Sequence, residues 1–336
     1  MFKNLNKNLS ELLKGGVEAL FLRIIGAVIL FGITFYITNV FGASNYGDFI
    51  LFVTSLKLLA VVAVFGTDMF MVRSVSNNFT KGTWFKVRED NYLSYGVIFL
   101  IGSALSFLIL IFCKSISLIL ELEIEYVVIL SVTIIPFSLI KLHGQCFRGV
   151  KNIRYYASFE FIYTYLIFAF FVICIPLLFN VSEKLFLGVA FCCSTIIVAI
   201  LSFVQWSKHL RISSIADNQL KVTISKKRLK ELMLRSAPYL LATSFTLVSI
   251  WIIQFGIKYY GSSKDLGIFD AMLKVGTLVS IPLMAINSIT APKLSESYSG
   301  NDLLQLKETA KSATYISIAV CLPLSLIHIS EPTRPY

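Results

Sequence analysis

The sequence contains few charged residues. Only 15% of its 336 residues are Asp, Glu, Lys or Arg, while 56% are apolar and the mean hydropathy is +0.77. A soluble domain needs more polar surface than this, so that class is excluded. The period-two alternation of a membrane β-barrel is also absent, because the apolar residues run in long blocks. We therefore predict an all-α polytopic membrane protein.

Metal and thiol motifs are equally scarce. The six cysteines include no CxxC pair and the three histidines lie at no metal-ligand spacing, so we predict no metal, no cofactor and no catalytic residue. The net charge of +11 could indicate nucleic acid. Cytoplasmic loops of membrane proteins collect Lys and Arg, however, and no block is long enough for a soluble nucleic-acid module. We expect no nucleic-acid partner.

Blocks of about 20 apolar residues predict membrane-spanning helices. Eight blocks qualify: residues 17–40, 47–72, 92–113, 124–142, 156–179, 184–206, 237–257 and 267–289. A ninth begins near Ser312 and is interrupted after Pro323. With the N-terminus in the cytoplasm, 22 of the 30 Lys and Arg residues lie on the inner side and four on the outer side. This bias predicts a cytoplasmic N-terminus.

The longest loop divides the chain into two halves. We predict an N-terminal six-helix lobe over residues 1–206, a basic cytoplasmic linker over 207–236 and an incomplete second lobe over 237–323. The linker contains KKRLKELMLR, an amphipathic basic stretch. Such a stretch fits a connector that is solvated or lies on lipid headgroups, and it equally admits a regulatory or partner site.

A short repeat relates the two halves. FGASNYGDF (41–49) follows the first span of the first half, and YGSSKDLGIF (260–269) follows the first span of the second half. Both spans start on the cytoplasmic side, which predicts parallel repeats about an axis along the membrane normal. The glycines predict tight outer turns into the next helix. The expected fold therefore has two six-helix lobes, the second represented by two spans and part of a third.

Six stretches, in this order and spacing, resemble one transporter family. They are FLRIIG (21–26), FGASNYGDF, FGTDMFMVRSVSN (65–77), CFRGVKNIRYYA (146–157), SAPYLLA (236–242) and APKLSESYSGND (291–302). Together they resemble the Wzx-type O-antigen and polysaccharide-biosynthesis flippases of the multidrug/oligosaccharidyl-lipid/polysaccharide (MOP) superfamily. The resemblance implies two lobes around a cavity that move a polyprenyl-pyrophosphate-linked oligosaccharide across the bacterial inner membrane by alternating access. It also implies that Arg23, in an Arg-x-x-Gly pattern, lines a cationic cavity.

Three cations fall inside predicted spans. A charge at mid-helix costs about 2.5–3.5 kcal/mol on insertion scales, so each needs a partner, a cavity or a route to the interface. The position of Lys57 in its span lies near the midplane of the membrane. We predict that Lys57 lines a cavity, with a structural ion pair as the alternative. Arg23 and Lys274 are shallower and could also snorkel to the headgroups. Since a pyrophosphate needs cationic partners in hydrocarbon, we predict that Arg23, Lys57 and Lys274 form a ladder across the membrane.

The acids and the remaining cations admit two readings. Asp68 and Glu160 are predicted near cytoplasmic ends, either as interfacial residues or as groups that exchange a proton or Na⁺. Asp270 either neutralises Lys274 at i, i+4 spacing or couples an ion. Arg73 and Arg148 fit a basic cytoplasmic entrance for phosphate or ordinary positive-inside loops. Relatives with the family pattern carry an acid in span 7, where this sequence has only Gln254.

Two other functions compete with the flippase. A multidrug exporter of the same superfamily differs only in substrate. A membrane glycosyltransferase or O-antigen polymerase would require large outer loops with catalytic acids, and the outer loops here are short. As partners we expect the lipid-linked oligosaccharide, membrane lipids and a polymerase or glycosyltransferase complex.

The last residues differ from the rest of the chain. The sequence LSLIHISEPTR (324–334) resembles the translated end of a transposase-based sequencing adapter, and it interrupts the ninth apolar block. Twelve residues of helix, from about 312 to 323, rise only about 18 Å, which is too short to span. We therefore expect residues 324–336 to be an artefact and the native protein to continue beyond Pro323.

Overall fold

The computed structural model describes residues 2–81, 83–150, 152–178, 183–214 and 226–276, together with scattered positions between 303 and 318. Ile29–Asp270 form one compact unit, and Met1–Val28 with Ala271–Tyr336 form another. The predicted artefact at 324–336 lies outside the described residues. In the smaller unit, residues 2–28 and 271–276 are helical.

The described chain is entirely helical where it has regular structure, as the long apolar blocks predict. The helices are α1 (Phe2–Val40), α2 (Gly42–Val64), α3 (Thr67–Lys81), α4 (Trp84–Ile111), α5 (Cys113–Leu120), α6 (Ile124–Gly149), α7 (Ile153–Ala157), α8 (Tyr163–Leu178), α9 (Glu183–Ser214) and α10 (Lys226–Tyr260). A π turn (Ser158–Ile162) joins α7 to α8. A further helix, α11, covers residues 263–276.

Seven helical segments among the described residues are long and apolar enough to cross a membrane. They lie over Phe21–Val40, Gly42–Val64, Trp84–Ile111, Ile124–Gly149, Ile153–Pro176, Leu185–Arg211 and Lys227–Tyr260. Each of the first seven predicted spans overlaps one of them. The eighth predicted span is described only as far as residue 276, and the ninth falls largely outside the described residues.

The predicted boundaries of the second span, 47–72, are wrong. Phe65 and Gly66 both have positive φ, 53° and 70°, and the Phe65 amide donates to the carbonyls of Val61 and Val62. A left-handed residue of this kind ends a helix. Asp68 and Arg73 therefore belong to a separate helix, α3, which the apolar run around the break conceals.

Two apolar clusters form the core of the larger unit. One joins α2, α6, α8 and α9 through aromatic rings, with Phe49 stacked on Phe168 at 5.1 Å between ring centroids. The other lies around Phe147 and Trp206 and includes Phe159 of the π turn. Phe147 and Phe159 stack at 5.8 Å, so the π turn is held against α6.

The outer surfaces of several helices are apolar, as a lipid environment requires. On α4, Leu100 is 71% exposed and Phe107 is 65% exposed. Contiguous apolar surface of this size is rare on proteins in water and normal against lipid.

The linker is helical at both ends. α9 continues to Ser214 and α10 begins at Lys226, so the basic stretch KKRLKELMLR is the start of the seventh spanning helix. α10 runs close to the break between α2 and α3, since a Cβ built on Gly66 would lie 2.4 Å from the Ser236 carbonyl oxygen. One face of the basic stretch packs on protein through Arg228 and Leu232, while Lys227, Lys230 and Arg235 are exposed.

Candidate functional site

Four of the predicted charged residues lie together, with one more, in the half of the larger unit that holds the C-terminal ends of α2 and α6, which we call the inner half because the sequence predicts that it faces the cytoplasm. Glu160 interacts electrostatically with Lys141, Asp68, Lys57 and Arg148. We call these five residues the inner charge cluster. They come from α2, α3, α6 and the π turn, and the other three elements all pack on α6.

α6 provides two of the cations on one face. Lys141 and Arg148 are seven residues apart, two helical turns, and therefore project in nearly the same direction. Lys141 lies eight residues before the inner end of α6, about 12 Å along its axis. Lys57 lies seven residues before the inner end of α2, about 10 Å along its axis. Both side chains are half-buried at similar distances from their helix ends.

Glu160 is the middle residue of the π turn. π turns inside helices are rare and are frequent at functional sites. Stacking of Phe159 on Phe147 fixes the turn, and a Cβ built on Gly144 would lie 3.4 Å from the Glu160 Oε2 atom. The carboxylate thus lies against the backbone of α6, between the turns that carry Lys141 and Arg148.

The charges of the cluster interact without direct pairing. Within the described residues, no two members form an ion pair, although Arg148 donates to Gln145 at 3.4 Å and lies over the Tyr156 ring at 5.6 Å. Three cations face two carboxylates, which leaves the cluster net positive when both acids are ionised. Because opposite charges are near each other but not in contact, the cluster is suited to an added anion.

The structure places the other predicted cations elsewhere. The guanidinium of Arg73, on α3, lies 5.2 Å from the centre of the Tyr239 ring of α10. Arg23, on α1, and Lys274, on α11, are half-buried and belong to the smaller unit. The ladder from Arg23 through Lys57 to Lys274 extends over both units and stays a prediction.

Asp270 lies apart from the inner charge cluster. It is 8% exposed, accepts a hydrogen bond from the Tyr46 hydroxyl at 2.5 Å and accepts one from Gln254 Nε2 at 3.5 Å. Tyr46 belongs to α2 and Gln254 to α10, so Asp270 connects three helices. Gln254, the polar residue of span 7, therefore faces a carboxylate supplied by the next helix.

An ion pair between Lys258 and Asp48, in the half of the larger unit opposite to the inner half, was not predicted from the sequence. Lys258 is 4% exposed, and its ammonium donates to Asp48 Oδ1 at 2.6 Å and to the Glu121 carbonyl oxygen at 2.7 Å. Ser263 donates to the same Asp48 oxygen at 2.7 Å. We call Asp48, Lys258 and Ser263 the outer latch. Lys258 is one of the four cations that the apolar blocks assign to outer loops, and that assignment is wrong because α10 continues past it to Tyr260.

The two copies of the predicted repeat meet beside this latch. A Cβ built on Gly47 would lie 1.8 Å from the Ser263 carbonyl oxygen, and one on Gly267 would lie 2.3 Å from the Ala43 carbonyl oxygen. These glycines occupy the same position in the two Gly-x-Phe motifs. Only glycine allows α2 and α11 to approach this closely.

A buried pair also lies at the inner end of α10. Asp90 is 1% exposed and accepts from Arg228 Nη2 at 2.9 Å and Nε at 3.2 Å, while Ser74 donates to its other oxygen at 2.5 Å. We call Asp90, Arg228 and Ser74 the inner clamp. Its members sit in segments that the sequence presents as ordinary cytoplasmic loops, so composition alone provides no signal for it.

Lys141 could have been found from the sequence. Its spacing of seven from Arg148 predicts a shared helix face once the helix is taken to continue. The charge count grouped Lys141, at the predicted end of span 4, with Arg148 among the inner-side cations, and the structure extends α6 to Gly149.

Comparisons with solved structures identify the fold. The MATE multidrug transporter DinF-BH, solved as a complex, superposes with a TM-score of 0.59 at 15% identity, covering 98% of this chain and 75% of its own. A mutant MATE protein superposes with a TM-score of 0.64 at 13% identity, covering 94% of this chain and 72% of its own. An inward-facing multidrug resistance MATE family transporter of the MOP superfamily gives 0.61 at 12% identity, covering 89% and 72%.

Comparison with sequence families supplies the membership. No curated protein matches the chain. The family model described as polysaccharide biosynthesis protein matches residues 12–297, which include both α6 and the π turn. The apolar helices and the fold together indicate a multi-pass membrane protein with a MATE-like fold. The chain belongs to the polysaccharide biosynthesis protein family.

Proposed function

We propose that this protein is a flippase for a polyprenyl-pyrophosphate-linked oligosaccharide in the bacterial inner membrane. It would move the sugar from the cytoplasmic to the outer leaflet by alternating access, for synthesis of O-antigen or capsule. The N-terminus lies in the cytoplasm in this proposal, as the distribution of Lys and Arg predicts. The lipid-linked sugar and the membrane lipids are its partners, alongside a polymerase or glycosyltransferase complex.

The inner charge cluster is the observation that carries the proposal. Three cations at the inner side of a membrane protein match a pyrophosphate, which bears at least two negative charges and cannot enter hydrocarbon bare. In this proposal Arg148 and Arg73 meet the headgroup first, and Lys57 and Lys141 bind it further along its path. Arg23 and Lys274 are proposed as further steps of the same path. Asp68, Glu160 and Asp270 are the candidates for coupling a proton or Na⁺.

A multidrug exporter is the second candidate because the fold is shared with MATE proteins. The cluster favours the anionic lipid. Three cations would repel a positively charged drug, whereas two carboxylates alone would attract it. Resistance to cationic dyes in a susceptible strain separates the two functions, and we expect expression of this chain to leave it unchanged.

Complementation of a flippase-null strain by the full-length protein, including the sequence expected beyond Pro323, tests the proposed function. Lys57→Ala should abolish complementation with unchanged protein level in the membrane fraction, because the cation that α2 contributes to the cluster is lost. Lys57→Arg keeps the charge and should retain more function than Lys57→Ala. Lys114→Ala, an exposed cation on the short outer helix α5, is the matched control and should complement fully.

The outcome of that assay decides the role of Lys57. Full complementation by Lys57→Ala at normal protein level would show that the cluster does not carry the lipid headgroup. Loss of complementation by Lys114→Ala as well would show that the assay reports general damage to the protein.

A further inference from the structure

Glu160 is a carboxylate held among cations that it does not contact. It interacts electrostatically with Lys141, Lys57 and Arg148, yet within the described residues it forms no hydrogen bond and no ion pair. A carboxylate whose only purpose is to neutralise a neighbouring lysine would be expected at contact distance. Its position suits a group that lowers the positive potential of the site without occupying it.

Glu160 lies at an irregular point of the backbone. It lies in the π turn, whose hydrogen-bond pattern differs from the helices on either side. Next to it on α6 is Gly144, which presents no side chain to the carboxylate. Phe159 is buried and stacked on Phe147, so the turn is anchored at one residue while the adjacent side chain is half-buried.

Removing one negative charge changes the balance of the site. With Asp68 and Glu160 ionised, the three cations are opposed by two acids. Without Glu160, the excess positive charge of the cluster doubles. An anion with two or more charges would gain favourable Coulomb energy by taking the place of the Glu160 carboxylate, whereas a neutral sugar would gain none.

We propose that Glu160 is the resident counter-ion of a phosphate site formed by Lys57, Lys141 and Arg148, and that a diphosphate group displaces it on binding. This inference rests on the proposed function for the identity of the natural headgroup. Lys141 thereby becomes a substrate-positioning residue, alongside the two cations that the sequence singled out. When the Glu160 carboxylate returns to the cations, it favours release of the diphosphate. The same carboxylate therefore sets both the affinity of the site for the diphosphate and the rate at which the diphosphate is released.

Calorimetric titration with inorganic pyrophosphate tests the inference on the full chain purified in detergent. Glu160→Gln should bind pyrophosphate about tenfold more tightly than the unaltered protein, since one competing charge is gone at nearly constant shape. Adding Lys141→Gln to that variant should remove the gain. Glu125→Gln, an exposed acid at the opposite end of α6, is the control and should bind as the unaltered protein does.

Several results would overturn the inference. Equal or weaker pyrophosphate binding by Glu160→Gln, in a preparation that elutes as a single species, contradicts displacement. Retention of the gain in the double variant removes Lys141 from the site, and absence of binding by every form removes the site itself. Should Glu160→Gln fail to fold, Lys141→Gln alone decides: about tenfold weaker binding supports the site and unchanged binding refutes it.

The test separates this inference from the proposed function. If Lys57→Ala complements a flippase-null strain while pyrophosphate binding follows Glu160 and Lys141, the counter-ion role stands and the lipid substrate is wrong. If Lys57→Ala abolishes complementation and Glu160→Gln leaves pyrophosphate binding unchanged, the flippase stands and displacement is wrong.

Discussion

Replacing Lys258 with Met should destabilise the contact of α10 with α2 at the outer end. The side chain is 3% exposed, and its ammonium makes the two short hydrogen bonds to Asp48 and to the Glu121 carbonyl oxygen. Removing one partner of a fully buried ion pair costs about 3–5 kcal/mol. The Asp48 side chain is 30% exposed and keeps the Ser263 hydroxyl, so water and one hydrogen bond offset part of the loss. We expect a decrease of about 2–3 kcal/mol in the free energy of unfolding.

A double-mutant cycle measures the pair itself. Unfolding of the purified protein in mixed detergent micelles would be followed for Lys258→Met, Asp48→Asn and the double variant. If the ion pair stabilises the outer end, the double variant is more stable than the sum of the two single changes predicts, by about 1–3 kcal/mol. The matched control is Lys264→Met, an exposed cation of α11, which should change stability by less than about 0.5 kcal/mol.

Additive effects would refute this reasoning. If the two single changes sum to the double change within about 0.5 kcal/mol, Asp48 and Lys258 do not stabilise each other. The short distance between Lys258 Nζ and Asp48 Oδ1 would then join two groups that are each stabilised by other hydrogen-bond partners.

Three further predictions address helix contacts. Gly47→Ala should lower the free energy of unfolding by about 1–3 kcal/mol, because its Cβ would lie 1.8 Å from the Ser263 carbonyl oxygen. Gly256→Ala is the control, since a Cβ there would have nothing within 4 Å. Equal thermal stability of the two variants would contradict the close approach of α2 and α11. Asp90→Ala should cost about 2–3 kcal/mol, as chemical unfolding would show, because it leaves the Arg228 guanidinium, whose side chain is 30% exposed, without its buried carboxylate. Glu231→Ala should cost less than about 1 kcal/mol, since its contact with Arg228 is 3.8 Å long and exposed; a loss as large as that of Asp90→Ala would remove the special role of the inner clamp.

The composition was sufficient to predict the class of structure. Twenty or so apolar residues in a row satisfy their backbone hydrogen bonds in lipid only as a helix, so each block predicts one span. The break at Phe65–Gly66 could not be predicted from hydropathy, because the run continues to be apolar across it. That break assigns Asp68 to the first turn of its own helix, α3, and changes which neighbours it meets.

The candidate site was predicted as separate residues and not as a group. Lys57, Asp68, Arg148 and Glu160 each attracted attention as charges in or near apolar blocks. Their proximity depends on how α2, α3 and the π turn pack on α6. Lys141 could be assigned to the cluster only from the structure, in which α6 continues beyond its apolar residues to Gly149.

What the sequence by itself determined is the membrane class, the first seven spans and the list of costly intramembrane charges, because these follow from local hydropathy and from the free energy of placing a charge in lipid. The tertiary structure decided which of those charges act together. It gathered Lys57, Lys141 and Glu160 around one face of α6 and gave Lys258 to Asp48. The physical reason is that a Coulomb interaction depends on distance in space, and residues far apart in the chain become neighbours only through packing.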